Sequence, residues 1–167
     1  MRRMMYTALL SCLVAYSFTA SAQSSQSMNY AAAATSKFVT MPDLPSCATL
    51  SVQEGDPAKT ALVVLAKFKA GCSVPWHWHT ANERLLIVSG TGKAEMKGEA
   101  TAVSLKPGDY IFMPAKGVHQ FTAATNVELF LLSDGPFDIH YVDASGSEIS
   151  SDVALKSKAK PAATKSE

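Results

Sequence analysis

The sequence has little net charge, few cysteines and no long apolar run after its first residues. Its 15 basic and 14 acidic residues give a formal net charge of +1 at pH 7, so it lacks the basic excess of a nucleic-acid-binding surface. Beyond the N-terminus there is no run of about 18 apolar residues, and no internal membrane span is therefore expected. A Cys-x-x-Cys pair, a phosphate-binding glycine loop and a Ser-His-Asp series are also missing. What remains is the expectation of one small folded domain within 167 residues.

The apolar residues of that domain fall in short runs, and in no segment do they recur at the spacing of an α-helix. Turn residues such as Gly98-Glu99 and Asp134-Gly135-Pro136 separate the runs. Short strands with turn signals every 8–12 residues or so are typical of all-β sandwiches and barrels. The sequence therefore predicts an all-β fold, with strands at Thr60 to Lys69, Leu85 to Val88, Gly92 to Lys97, Ala100 to Leu105, Tyr110 to Met113, Val118 to Thr122, Val127 to Leu132 and Ile139 to Val142.

Four side chains are candidate ligands for a metal ion. His77 and His79 are one residue apart, and they face the same side of a strand because side chains alternate with a period of two. Glu83 follows closely, and His119 comes later in the chain. Three imidazoles and a carboxylate suit a divalent first-row transition metal, whereas calcium and magnesium prefer oxygen ligands. The sequence predicts one metal site at these four residues; His140 fits no such pattern and is interpreted as an ordinary side chain.

Around these ligands the chain resembles the cupin family. The first cupin motif places two histidines, a glutamate and two glycines at fixed spacing, and every position is matched, by Gly71, His77, His79, Glu83 and Gly90. The second motif is matched by Gly108, Pro114 and His119, while Gly117 is displaced by one position and Ala123 replaces an asparagine that is not usually a ligand. The resemblance implies a single jelly-roll β-barrel over residues 45–143, one Fe, Mn, Ni, Cu or Zn ion, and a homodimer.

Two function classes fit a cupin with these residues. Resemblance to quercetinase-like cupins implies a metal-dependent dioxygenase acting on a small oxygenated organic molecule, with Glu83 as a ligand that could also act as a base. Decarboxylases, isomerases and lyases share this ligand set. The alternative is a sensor that binds metal and a small molecule without turnover. Strand alternation is expected to place Ser73 and Pro75 on the inner face beside His77, and Glu95 is expected to be solvated.

The two ends of the chain are expected to lie outside this domain. Met1-Arg2-Arg3, an apolar core to Phe18 and Ala20-Ser21-Ala22 have the order of a secretory signal peptide spanning residues 1–22. The protein is then exported to the periplasm or the medium, with no membrane attachment after cleavage; an uncleaved anchor and a lipoprotein at Cys12 are the alternatives. Residues 23–44 are expected to form a flexible leader and residues 144–167 a mostly disordered tail.

Cys47 and Cys72 are the two cysteines left after removal of the signal peptide. An even pair in an exported protein favours a disulfide, because that compartment is oxidising. If Ala48–Val52 pairs with Ala61–Phe68 through the intervening turn, both cysteines reach the same end of the sheet. Two free buried thiols are the alternative.

Export predicts that the mature chain begins near Gln23, because Ala20-Ser21-Ala22 is the small-residue cleavage pattern. N-terminal sequencing of protein recovered from the periplasm or the medium of a secreting host checks this. An intact Met1 on protein confined to the cytosol would refute it.

Overall fold

Eleven β-strands are the main regular elements of the part of the protein that the structure describes, residues 28–156 of a computed structural model. Residues 31–156 belong to one compact unit, and residues 28–30 belong to another and have no regular secondary structure. Within residues 28–156 no helix has the length and apolar character needed to cross a bilayer. The strands are β1 (Ala48–Glu54), β2 (Leu62–Phe68), β3 (Ser73–Trp78), β4 (Glu83–Ser89), β5 (Gly92–Met96), β6 (Val103–Leu105), β7 (Tyr110–Met113), β8 (His119–Ala123), β9 (Val127–Ser133), β10 (His140–Val142) and β11 (Glu148–Ile149). A 3-10 helix (Ala33–Thr35) precedes them, and helix α1 (Ser151–Lys156) follows them.

The strands form two antiparallel sheets whose inner faces enclose the core. One sheet has the order β1-β2-β9-β4-β7, and the other has the order β11-β10-β3-β8-β5-β6. The central strand β9 shows why the chain folds this way, because its side chains alternate between buried and half-buried. Val127, Leu129 and Leu131 project into the core with at most 8% exposure, as expected of a strand with one face against the interior. The predicted all-β class is confirmed.

A β-bulge in β3 changes which side chains face the interior. Val74 is paired with Phe121 and His77 with His119, so β3 has one more residue than β8 over this interval. The bulge includes Pro75, which has no N–H to donate to the neighbouring strand. A proline is tolerated inside a sheet at such a bulge. Val74 and His77 therefore both face inward. The expectation that Ser73 and Pro75 share the face of His77 is wrong, because simple alternation does not continue through a bulge.

Residues 38–44, which the sequence assigned to a flexible leader, pack against the domain. Val39 exchanges two backbone hydrogen bonds with Leu50, of 2.9 and 2.8 Å, so this segment covers part of the open edge of β1. Leu44 is buried and packs in the core, and the carbonyl of Asp43 accepts a 2.7 Å hydrogen bond from the Tyr141 hydroxyl. The leader prediction is wrong for this stretch, because its order comes from an edge strand distant in sequence. The predicted signal peptide lies outside the described residues.

The start of the predicted disordered tail is also folded. Strand β11 pairs with β10, and α1 buries Ala154 while Leu155 packs against the core. The Ser151 hydroxyl donates to the Asp43 carboxylate at 2.8 Å. A six-residue helix has too few residues to show an apolar period, so the polar composition concealed this element. Residues 157–167 lie outside the described part of the chain.

Cys47 and Cys72 are joined by a disulfide, with Cα atoms 5.7 Å apart. The predicted pairing of β1 with β2 is confirmed, since Ala48 lies opposite Phe68. This register places Cys47, just before β1, beside the end of β2, and the backbone N–H of Lys69 donates to the Cys47 carbonyl at 3.1 Å. The chain then turns and brings Cys72 back to the same end of the sheet.

Replacing both cysteines, Cys47→Ala and Cys72→Ala, is expected to lower the free energy of unfolding by about 3 kcal/mol. The disulfide closes a loop of 25 residues, and a cross-link of that length restricts the unfolded chain by roughly this amount. Denaturant unfolding of wild type and variant, each with and without reductant, measures the difference. Reductant should destabilise only the wild type; equal effects on both proteins would contradict the assignment.

Candidate metal centre

The structure brings the four predicted ligands together in the interior. One donor atom from each of His77, His79, Glu83 and His119 lies within 4.8 Å of the others. His77 and His119 are directly opposite each other on β3 and β8. His79 follows the end of β3, and Glu83 is the first residue of β4 in the other sheet. The site therefore joins the two sheets, and all four side chains are buried, with His119 only 2% exposed.

Backbone carbonyls fix the tautomer of all three histidines. In each ring Nδ1 contacts a carbonyl oxygen, which can only accept a hydrogen bond, so Nδ1 carries the proton. The Nε2 lone pair of each neutral ring is then free for a metal, which is the usual arrangement of ligating histidines. The acceptors are the carbonyl oxygens of Pro75 (2.6 Å from His77), Gly117 (2.8 Å from His119) and Asp138 (beside His79).

The remaining donor atoms of the cluster face one another at short distances. The Glu83 Oε2 atom lies 3.2 Å from His119 Nε2 and 3.6 Å from His79 Nε2. His79 Nε2 is buried without a hydrogen-bond partner, and such an atom is costly to leave unsatisfied. The lone pairs of neutral rings would repel the carboxylate unless a proton or a cation lies between them. A bound cation would also satisfy His79 Nε2, which a single proton on His119 leaves without a partner. The residues present therefore fit a divalent transition metal.

The electrostatics of the cluster favour the protonation states that bind metal. Burial and the neighbouring rings of His119 and His79 hold the pKa of His77 well below its ordinary value, so this imidazole stays neutral. Burial alone would raise the pKa of Glu83, but the attraction of its carboxylate to His79 and His119 when those rings carry a proton outweighs burial and lowers that pKa. A neutral imidazole and an ionised carboxylate are the ligand forms that bind metals.

An apolar cavity of about 40 Å³ adjoins the ligands. Among the described residues, the four ligands supply the only polar side chains of its wall. Acid–base chemistry here would therefore have to use the ligands themselves or the substrate. The apolar part of the wall consists of Leu44, Leu50, Phe68, Val74, Leu85, Met113, Phe121, Leu129, Leu131, Phe137 and Ile139.

Two residues that position the ligand loop are not evident from the sequence. The Asn82 side chain donates to Asp134 at 2.8 Å and accepts from the backbone of Ala115 at 2.9 Å. The backbone carbonyl of Asp138 accepts from His79, and its carboxylate accepts from the Thr80 N–H at 2.8 Å. Both residues link the ligand loop to segments more than 30 positions away. The position of Asn82 within the first motif is the only feature of the sequence that points to its role in the ligand loop.

His140 is not part of the cluster, in keeping with its interpretation from sequence. Its ring stacks on Trp78 with centroids 3.9 Å apart. Its two nitrogens lie 3.4 Å from the Asp138 carboxylate and 3.5 Å from that of Glu148.

A protein-family model and a curated protein each match part of the chain. Residues 64–133 match the family model described as "Cupin domain". A curated plant protein, the DNA damage-repair/toleration protein DRT102 of Arabidopsis thaliana, is 32% identical over 81 residues, which are 48% of this chain. The chain spans only 26% of that protein's length.

Solved structures share the fold at low sequence identity. The polyketide cyclase RemF from Streptomyces resistomycificus superposes with a TM-score of 0.60 at 16% identity, covering 70% of this chain and 87% of the other. An RmlC-like cupin from Shewanella frigidimarina gives a TM-score of 0.55 at 17% identity, covering 67% of this chain and 94% of the other. The DMSP lyase DddQ from Ruegeria pomeroyi gives a TM-score of 0.52 at 19% identity, covering 70% of this chain and 61% of the other. These similarities confirm the predicted jelly-roll fold.

Substituting His77→Ala and His79→Ala together is expected to remove the metal from purified protein, because two of four ligands are lost. Plasma emission spectrometry of dialysed protein measures the metal content per chain. His140→Ala is the matched control and should retain the wild-type content, since His140 lies outside the cluster. A double variant that keeps a full equivalent of metal would contradict the ligand assignment.

Proposed function

We propose that the chain is a metal-dependent cupin that acts on a small oxygenated organic molecule. One divalent transition metal, Fe, Mn, Ni, Cu or Zn, would be held by His77, His79, Glu83 and His119. The observation that carries this proposal is the buried His79 Nε2, which lacks a hydrogen-bond partner and lies 3.6 Å from the Glu83 carboxylate.

Each residue of the site has a distinct task in this proposal. When bound, such an ion supplies a Lewis acid or redox centre that still has coordination positions for substrate. The backbone carbonyls at Pro75 and Gly117 hold the His77 and His119 rings in one tautomer. The apolar wall excludes bulk water. Glu83 is the only carboxylate of the cluster, and on leaving the metal its Oε2 could accept a proton from the substrate.

The proposed reaction class is a quercetinase-like dioxygenation. It is supported by the mixed imidazole–carboxylate donor set and by a cavity wall with no separate acid or base among the described residues. Chemistry of this kind needs few protein groups beyond the metal ligands. Cyclase and lyase activities, which are named for two of the structural neighbours, are competing reaction classes on the same fold.

A non-catalytic sensor is the second candidate. The observation that favours it is the size of the cavity around the ligands, about 40 Å³, which is small for a flavonol-sized substrate. A sensor would respond to a small ligand by a change in stability or assembly and would release it unchanged.

We also propose that the protein acts after export. The basic and apolar N-terminus supports this, and so does the disulfide between Cys47 and Cys72, since such bonds persist in oxidising compartments.

Metal-loaded mature protein is expected to consume oxygen with one class among flavonols, diketones and catechols. Glu83→Gln should lower the rate per bound metal by about 100-fold or more, as expected for loss of a positioned base. An oxygen electrode combined with metal analysis measures both quantities, and His140→Ala is the control. A substrate that raises the melting temperature without oxygen uptake or any product would favour the sensor.

A further inference from the structure

A second cavity, of about 200 Å³, lies next to the four candidate metal ligands. It is five times larger than the cavity around the ligands, and the two share Met113 and His119 in their walls. Its remaining wall comes from the β5–β6 hairpin and from β7. We call this space the outer chamber.

The outer chamber exists because the two sheets separate at one side. Among the described strands, β6 is the edge of one sheet and β7 the edge of the other, and these two edges do not pair. Val103 on β6 lies opposite Ala94, which is buried on the inner face. Val103 is nevertheless 49% exposed. A residue of the inner face that reaches solvent marks an opening into the interior.

Met113 lies between the outer chamber and the ligands. It is opposite Glu83 in the β4–β7 pairing, is only 2% exposed, and borders both cavities. Its unbranched thioether side chain can change rotamer with little strain. A rotation of this side chain would join the two spaces without movement of the backbone.

The charges on the outer chamber are mainly negative. Glu95 and Glu99 both line it. Glu95 pairs with Lys93 at 3.1 Å, whereas Glu99 forms no ion pair within the described part of the chain. The rest of the wall is apolar except for Thr101 and the shared His119. The chamber thus combines an apolar surface with one exposed carboxylate that has no ion-pair partner among the described residues.

We propose that the outer chamber binds the body of the substrate, and that the substrate is an apolar molecule with a cationic group at its outer end. An oxygen donor at the inner end would reach the metal past Met113, and the cationic group would lie near Glu99. This inference rests on the metal site of the proposed function. It differs from the expectation that Glu95 is merely a solvated residue, because that side chain lines the chamber.

Two matched hydroxamate probes test the proposal. Both ligate a metal through the same group; one carries a trimethylammonium end, and the other carries the isosteric neutral tert-butyl end. Isothermal titration of metal-loaded mature protein gives their affinities, and the cationic probe is expected to bind about fivefold more tightly, as one partly solvated charge pair allows. Glu99→Gln should abolish this preference, and Glu54→Gln, an exposed glutamate on β1 outside the chamber, should preserve it.

A second pair of variants tests the space rather than the charge. Val103→Trp should fill the chamber and weaken both probes at least tenfold while metal content and melting temperature stay unchanged. Val88→Trp is the matched control, because Val88 is 47% exposed on β4 and does not line the chamber. If Val103→Trp fails to fold, the Glu99 comparison decides alone.

The outcomes distinguish failure of the proposed metal site from failure of the outer chamber as the substrate site. Wild-type protein that holds no metal would overturn the proposed function and this inference together. Metal-loaded protein that binds both probes equally, or whose preference survives Glu99→Gln, overturns the inference and leaves the metal site intact. A folded Val103→Trp variant with unchanged affinity for both probes also overturns it.

Discussion

Three imidazoles and one carboxylate lie in the apolar interior of this domain, where they lose their hydrogen bonds to water. Such groups are tolerated only when each polar atom finds a partner. Backbone carbonyls satisfy the Nδ1 atoms of His77 and His119, but no protein group satisfies His79 Nε2. The remaining lone pairs converge with the Glu83 carboxylate, so a bound divalent cation would coordinate the nitrogens and balance the charge of the carboxylate. The register of β3 with β8 and the pairing of β4 hold these four groups together.

Positioning the ligands requires residues that are far apart in the sequence. The bulge at Pro75 puts His77 opposite His119, and Glu83 arrives from the other sheet. The loop between His79 and Glu83 is held by Asn82 and by backbone contacts to Asp138 and Lys116. Since these contacts come from separate turns, the donor geometry is a property of the whole fold. The same packing leaves the edge strands β6 and β7 without pairing to each other beside the site, and an opening results.

The sequence contained enough local information to identify the strands and the candidate ligands. Spacings of two residues place His77 and His79 on one face, and the turn between β1 and β2 brings Cys47 towards Cys72. Features that depend on tertiary contacts escaped prediction. Alternation fails at Pro75 because bulges depend on the partner strand. The order of residues 38–44 and of α1 comes from packing on distant strands, and the outer chamber is a gap between two sheet edges, which no local pattern records.

X-ray absorption spectroscopy of the purified protein, as isolated and after incubation with first-row divalent metals, tests most directly whether these four residues bind a metal. The edge energy identifies the metal, and the fine structure reports the type of its ligands. Ligation by His77, His79, Glu83 and His119 predicts one divalent first-row metal per chain, with a nitrogen and oxygen shell that includes imidazole scattering. A sulfur-containing shell, a shell of oxygen alone, or protein that stays metal-free after incubation with these metals would contradict it.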